Sequence, residues 1–246
     1  MTGLEETTAV ILAGGLGTRL REVVVDRPKV LAEVNGRPFL ACLLDRLVEV
    51  GIINVVLCTG YMAELVRETF GNSYRGTELL YSREESPLGT GGSLRLALPL
   101  IVSDPVLVLN GDSFCEADLV LFARQHLSAT AQASLMLVQV EDAARYGAVD
   151  VDGTGCVVSF REKGSHSGAG LINAGVYLLA RHVIASIPPR VAASLEREVF
   201  PRLIGAGLYG FPQAARFIDI GIPSDYHAAS AFLAVVKNTA VRGETP

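Results

Sequence analysis

The sequence predicts an α/β fold, a Rossmann-like and mostly parallel sheet flanked by helices, with a small antiparallel lobe. Two observations carry that expectation. Through the first half, apolar runs of strand length alternate with amphipathic segments, the pattern of βαβ units whose strands are covered on both faces and so read as continuous hydrophobics. Beyond Tyr146 the texture changes to short alternating runs separated by glycine-rich turns, which implies antiparallel strands packed over the first half.

The elements follow in order. Apolar runs at 9–13 and 54–58 read as strands, with helices at 39–50 and 63–70. A strand at 78–81, a helix opening at Gly92-Ser93, a strand at 105–109, a helix at 118–126 and a strand at 134–140 continue the alternation. The antiparallel lobe is expected from 148–151, 157–160 and the long apolar stretch 170–179. A helix near 195–203, strands near 208–211 and 217–220, and a closing helix near 223–236 complete the chain, and only its last ten residues read as frayed.

Composition narrows the partners. A chain of 246 residues, 50% of them hydrophobic, can bury one substantial core. A net charge of −5 with only 21 Lys plus Arg leaves no global basic field, which argues against nucleic acid and confines cations to a local pocket for small phosphates. Cys42, Cys58, Cys115 and Cys156 form no C-x-x-C pair, so neither zinc nor a disulfide is expected. The four histidines lack metal-ligand spacing and enter no mechanism. An acidic start without the positive region of a secretory signal, and apolar runs well short of the ~18–20 residues that span a bilayer, lead to the expectation of a cytoplasmic protein with no membrane partner. A homo-oligomer stays open.

The most informative stretch is Leu12-Ala13-Gly14-Gly15-Leu16-Gly17-Thr18-Arg19, followed by Pro28-Lys29. Glycines directly after an apolar strand expose backbone N–H groups where no side chain blocks approach, and two cations then arrive to neutralise phosphate charge. A P-loop would need a Gly-Lys-Ser/Thr ending that is absent here. A dinucleotide fingerprint would need glycine where Leu20 stands. Downstream, Asn110-Gly111-Asp112 places a carboxylate at the carboxyl end of a strand, where ligands of open α/β sheets bind. Asp219 is a charge set among large apolar residues in Phe217-Ile218-Asp219-Ile220 and therefore needs a partner, because an unpaired buried charge costs several kcal/mol. Mg²⁺ suits the two aspartates, since it binds through one or two carboxylates plus substrate phosphates.

The run from Gly14 to Arg19 together with Pro28-Lys29-Val30-Leu31 resembles the signature of the sugar-1-phosphate nucleotidyltransferases, G-G-x-G-T-R, a short gap, then P-K. Within that family the chain is most similar to the D-glycero-α-D-manno-heptose 1-phosphate guanylyltransferases, whose motifs recur in order along nearly its whole length. The resemblance implies a glycosyltransferase-A-like fold and one domain over 1–240, with a nucleotide-binding half at about 7–140, a sugar-binding and closing half at about 141–240, and a tail at 241–246. It assigns the catalytic roles to Arg19, Lys29, Asp112 and Asp219, with Asp112 and Asp219 holding the metal. It places the nucleotide on Leu12, Ala13, Gly14, Gly15, Gly17, Thr18 and Arg19, on Gly60 and Gly111, and on a second glycine loop, Gly89-Thr90-Gly91-Gly92, at a helix start whose free N–H groups could face a ligand. It places the sugar phosphate on Tyr146, Gly147, Glu162, Lys163 and Asn173.

The implied reaction is GTP plus a sugar 1-phosphate giving GDP-sugar and pyrophosphate, for surface polysaccharide precursors such as those of capsule or lipopolysaccharide. Glu22 and Val23 stand where the thymidylyl and uridylyl branches carry a proline after T-R-L, and Ala32 replaces their leucine-proline continuation. Both departures point to the guanylyl branch without fixing the base. Mannose 1-phosphate with GTP, glucose 1-phosphate with a pyrimidine nucleotide, and a non-catalytic nucleotide-sugar sensor remain as alternatives. Retention of both cations and both aspartates speaks against the sensor. The absence of a hexapeptide repeat means that no appended left-handed β-helix is expected.

Overall fold

The computed structural model describes residues 4–20, 22–161 and 168–241. The chain opens with β1 (Thr8–Leu12) and reaches a short 3₁₀ turn at Lys29–Leu31. A two-stranded ribbon, β2 (Glu33–Val34) and β3 (Arg37–Pro38), leads into α1 (Phe39–Glu49). Then come β4 (Asn54–Thr59), α2 (Ala63–Phe70), β5 (Ser73–Tyr74), β6 (Thr77–Arg83) and α3 (Gly89–Ala97). The second half contains β7 (Val106–Asn110), β8 (Ser113–Cys115), α4 (Leu119–Ser128), β9 (Ala133–Val140), and the hairpin of β10 (Ala148–Val151) with β11 (Val157–Arg161). It ends with β12 (Gly170–Leu179), α5 (Arg181–Ala185), a π-helical turn Leu195–Val199 running into α6 (Phe200–Leu203), β13 (Leu208–Gln213), β14 (Phe217–Asp219) and α7 (Pro223–Val241).

Eight strands form one sheet in the order β13-β9-β12-β7-β1-β4-β6-β5. Neighbours of β1, β4, β6 and β7 pair in parallel, as does β13 with β9, and β12 and β5 run against them. The mostly parallel sheet is as the alternation of apolar runs implies. The stretch 170–179 lies elsewhere than expected: it is an interior strand of the main sheet, between β7 and β9, and of the expected lobe the β10–β11 hairpin forms a separate antiparallel pair, as do β2 with β3 and β8 with β14. Burial explains the position. Ile172 and Val176 through Leu179 are all buried, and a strand apolar on both faces suits a sheet interior whichever way it runs.

Successive residues of the central strands feed two separate cores. Ile11, Leu57, Leu107 and Met136 face one side with α1, α4 and α7, packed on Phe39, Leu44, Phe122 and Leu233. Val10, Val56, Val108 and Leu135 face the other with α3, α5 and α6, packed on Leu94, Ile184 and Phe200. The period of two in side-chain direction thus splits one run of hydrophobics between both faces. The carboxyl ends of β1, β4, β6 and β7 are left to carry the site. Among the described residues no helix is long and apolar enough to cross a membrane.

Candidate active site

The first loop leaves the sheet where Ala13 N–H donates to the Cys58 carbonyl at 2.8 Å. The glycines after it are demanded by close approach. A Cβ on Gly14 would stand 2.7 Å from Glu84 Oε1, and one on Gly60 would stand 2.8 Å from the same oxygen. Gly17 adopts the left-handed φ of +59° and lies over the stem of Lys29, whose Cβ is 3.2 Å from the position a Gly17 Cβ would take. Gly15, Leu16, Thr18 and Arg19 are exposed beyond this turn.

Two aspartates distant in sequence meet through the backbone. Gly111 N–H donates to the Leu12 carbonyl at 3.0 Å, and a Cβ there would fall 2.6 Å from that same oxygen, so β1 and β7 are pinched together immediately before Asp112. β8 then pairs antiparallel with β14, setting Ser113 opposite Asp219, and Ile220 N–H donates to the Asp112 carbonyl at 2.9 Å. Lys29 comes up from the 3₁₀ turn between the carboxylates. Its Nζ donates to Asp112 Oδ2 at 2.7 Å and lies 3.6 Å from Asp219 Oδ1, with only 10% of the lysine side chain exposed.

Burial lifts the Asp219 carboxyl above its usual range, and the neighbouring Asp112 charge adds to the shift. Lys29, the Gly221 N–H that donates at 2.6 Å, and the charge of Arg19 pull the other way. Geometry sets two carboxylates against the one ammonium of Lys29, an arrangement that can take up a further cation. Their hard oxygens fit Mg²⁺. Among the described residues no group of three or more His, Cys, Asp or Glu side chains could hold a metal, so an ion at Asp112 and Asp219 would need further ligands from elsewhere, as Mg²⁺ takes from phosphate oxygens and water.

Two groups of cavities meet at this point. On one side, a cavity of about 670 Å³ is lined by Gly14, Leu16, Gly60, Tyr61, Glu84 and Pro87. It adjoins one of about 240 Å³ that brings together Leu12, Gly14, Gly15, Gly89, Thr90 and Asp112. On the other side, about 490 Å³ is enclosed by residues that include Asp112, Tyr146, Gly147, Asn173, Glu196 and Asp219. Of the sequence-predicted positions, Leu12, Gly14, Gly15, Gly60, Gly89 and Thr90 line the first group and Tyr146, Gly147, Asn173 and Asp219 the second, with Asp112 in both; Gly17 and Lys29 border a small separate pocket, and Ala13, Thr18, Arg19 and Gly111 line none of these cavities. Glu162 and Lys163 lie outside the described residues.

The second glycine loop works differently from the expectation. Its helix begins at Gly89, not Gly92, and the N–H groups of Gly91 and Gly92 both donate to the Ala193 carbonyl, at 2.8 and 3.2 Å. These two N–H groups are satisfied inside the protein, while Gly89 and Thr90 line the cavity of about 240 Å³. A Cβ on Gly89 or Gly92 would stand 2.6 Å from the carbonyl oxygens of Ala193 and Val191 respectively, so these glycines admit the 191–193 segment. Thr90 is similarly tied: its hydroxyl donates to Glu196 Oε2 at 2.9 Å and accepts from Leu195 N–H at 2.8 Å.

Two acidic residues were not singled out by the sequence. Glu84 follows β6 at the carboxyl edge of the sheet, the same signal that marked Asp112. Its Oε2 accepts from Ser93 Oγ at 2.5 Å and Leu88 N–H at 3.1 Å. Its Oε1 lies against Gly14 and Gly60, which line the two glycine-bordered cavities. Glu196 sits on the π-helical turn and has no sequence signal, because its partners Thr90, Ser194 and Tyr177 converge only in three dimensions.

The nucleotidyl transferase family model matches residues 8–235. The chain belongs to the nucleotidyl transferase family. It is 39% identical over 222 residues to a D-glycero-alpha-D-manno-heptose 1-phosphate guanylyltransferase of Aneurinibacillus thermoaerophilus, covering 90% of this chain and 96% of that one. It is 38% identical over 244 residues to a mannose-1-phosphate guanylyltransferase of Mycobacterium tuberculosis, covering 97% of this chain and 68% of the relative. Among solved structures, HddC from Yersinia pseudotuberculosis complexed with GMP-PN superposes with a TM-score of 0.83 at 35% identity, over 92% of this chain and 99% of that one. The family membership and the fold class implied by the glycine-rich signature hold.

Proposed function

We propose that this nucleotidyltransferase moves a guanylyl group from GTP to a sugar 1-phosphate, with D-glycero-α-D-manno-heptose 1-phosphate as acceptor, giving GDP-sugar and pyrophosphate for surface polysaccharide precursors. The observation that carries the reading is Lys29 between Asp112 and Asp219 at the seam of two chambers. One chamber is built on glycines that admit a nucleotide, and the other offers hydroxyl and amide groups suited to a sugar.

The chemistry asks little of a general base. A phosphate monoester has its second pKa near ~6 and is already an anion at neutral pH. The obstacle is the approach of two polyanions, which positioning and charge neutralisation remove. Lys29, freed from Asp112 as phosphate enters, would meet the α-phosphate, and exposed Arg19 would hold the departing β,γ-phosphates. Asp112 and Asp219 would hold Mg²⁺, which when bound neutralises phosphate oxygens of both reactants. GTP is a cytoplasmic metabolite, which supports a cytoplasmic site of action.

Glu84 supports guanine. A carboxylate only accepts hydrogen bonds, and its Oε1 lies in the wall of the larger nucleotide-side cavity. Guanine offers adjacent ring N–H and amino donors on one edge, whereas uracil and thymine flank their single N–H with two carbonyl oxygens that a carboxylate repels. Mannose 1-phosphate stands as the second reading, because the match to the Mycobacterium tuberculosis enzyme extends over 97% of this chain. A grid of GTP, ATP, UTP and dTTP against heptose, mannose and glucose 1-phosphates with Mg²⁺, scored by pyrophosphate release, tests both. Turnover confined to GTP with one manno-configured acceptor supports the reading, and a preference for a pyrimidine nucleotide or for glucose 1-phosphate contradicts it.

A further inference from the structure

One buried acceptor on the wall shared by the two chambers has no partner in the protein, and the hydrogen bonds around it fix which way it points. Asn110, the last residue of β7, lines both the sugar-side cavity and the smaller nucleotide-side cavity. Its Oδ1 is buried and makes no hydrogen bond. A buried carbonyl oxygen left without a donor costs about 1–3 kcal/mol.

The amide cannot relieve this by turning over. The backbone N–H of Gly175 can only donate, and it donates to Asn173 Oδ1 at 2.9 Å. Asn173 therefore presents Nδ2 to Tyr177 Oη, at 3.0 Å. The single hydroxyl proton of Tyr177 goes to Glu196 Oε1 at 3.2 Å, a carboxylate whose other oxygen already accepts from Thr90 and Ser194 at 2.9 Å each. Tyr177 Oη has only lone pairs left, so Asn110 must turn Nδ2 toward it, at 3.5 Å. Oδ1 is thereby held as an acceptor. Gly175, at φ +72°, closes the same side, since a Cβ there would stand 2.8 Å from Asn110 Nδ2.

Resting on the guanylyltransferase reading, we infer that Asn110 is a specificity-determining residue whose Oδ1 accepts a hydrogen bond from the acceptor-sugar hydroxyl next to the phosphate-bearing carbon. The required ligand group is a sugar hydroxyl, which the ribose of the nucleotide could also supply through the shared wall. We assign the hydroxyl to the acceptor sugar because Asn110 shares the sugar-side cavity with both Asp112 and Asp219, where the guanylyltransferase reading puts the phosphate end of the sugar. Asp112, two residues along the chain and in the same wall, would with Asp219 hold the Mg²⁺ that meets the sugar phosphate, so the hydroxyl on the adjacent carbon is the one brought nearest. The tether from Thr90 through Glu196 and Tyr177 holds the amide from behind, which makes the acceptor rigid before substrate arrives.

The test compares wild type, Asn110→Ala and Tyr177→Phe on four substrate combinations. These pair the best nucleotide and sugar 1-phosphate of the substrate grid, or the 2′-deoxynucleotide, or the 2-deoxy-sugar 1-phosphate, or both deoxy analogues, and read kcat/KM. The inference predicts that Asn110→Ala loses about tenfold or more on the hydroxylated sugar and little on its deoxy analogue, while discrimination at the ribose is unchanged. Tyr177→Phe, which leaves the acceptor in place but unheld, loses part of the same discrimination and covers the case that Asn110→Ala does not fold. Loss of discrimination at the ribose alone, or equal losses on all four combinations, overturns the assignment. A folded wild type that turns over no nucleotide and sugar pair contradicts the guanylyltransferase reading itself, and the inference falls with it.

Discussion

At the scale of single residues, the site is governed by one cation between two anions. Lys29 is nearly buried, donates to Asp112 and stands within 3.6 Å of Asp219, so its removal leaves both the carboxylate pair and the incoming phosphates without their fixed positive charge. Lys29→Ala is expected to lower turnover by about a hundredfold or more, with circular dichroism and gel filtration unchanged; a variant of wild-type kcat would remove Lys29 from the chemistry. A second residue reports on stability. His126 is buried against Ser134 Oγ at 2.7 Å, and burial lowers its pKa. Because the folded value lies below that of the unfolded chain, this contribution is complete above about pH 6.5 and is lost as the pH falls from there toward the folded pKa, with a slope of at most ~1.4 kcal/mol per pH unit. Urea unfolding of wild type and His126→Gln between pH 7.5 and 5 should show the difference in stability shrinking with acid, and a constant difference would contradict it.

At the scale of elements, the pinch between β1 and β7 sets the position of Asp112 relative to the first glycine loop. Gly111→Ala would drive a methyl group to 2.6 Å from the Leu12 carbonyl, a backbone atom that cannot rotate away. A cost of about 1–3 kcal/mol is expected, read as a lower urea midpoint together with lower turnover, since both loops hang from the displaced strands. The sequence made this part of the molecule legible because two cations, Arg19 and Lys29, follow the glycines at a strand's end, and Asp112 was legible for its place after an apolar strand. The interior place of β12 was not, because an apolar run carries no sign of its direction. The second glycine loop was legible in part: glycine at a helix start allows approach of either a ligand or the chain's own backbone, and here the Ala193 carbonyl takes up Gly91 and Gly92 N–H while Gly89 and Thr90 line a cavity.

At the scale of the whole molecule, one sheet carries two ligand chambers at the carboxyl edge of its parallel strands, the place such sheets offer to ligands. The glycine-lined chamber, proposed for the nucleotide, borders the ends of β1, β4 and β6, and the one proposed for the sugar takes residues of β7, β10 and β12, with the β8–β14 ladder locking the aspartate pair at the boundary. Most of the first chamber could be read along the chain, because its residues are short local motifs. Much of the second could not: Glu196, Tyr177 and Asn110 acquire a role only when three separate segments bring their polar atoms together.

On the proposed mechanism, reactants of like charge meet because Asp112 and Asp219 together hold a cation between the chambers. That is tested most directly by pyrophosphate release from wild type, Asp112→Asn and Asp219→Asn as Mg²⁺ is titrated from a chelated start. Wild type should be silent without the ion and saturate with it, while each variant keeps its fold and falls by about a hundredfold or more at saturating Mg²⁺. Turnover that persists in chelator, or variants that match wild type across the titration, would contradict it.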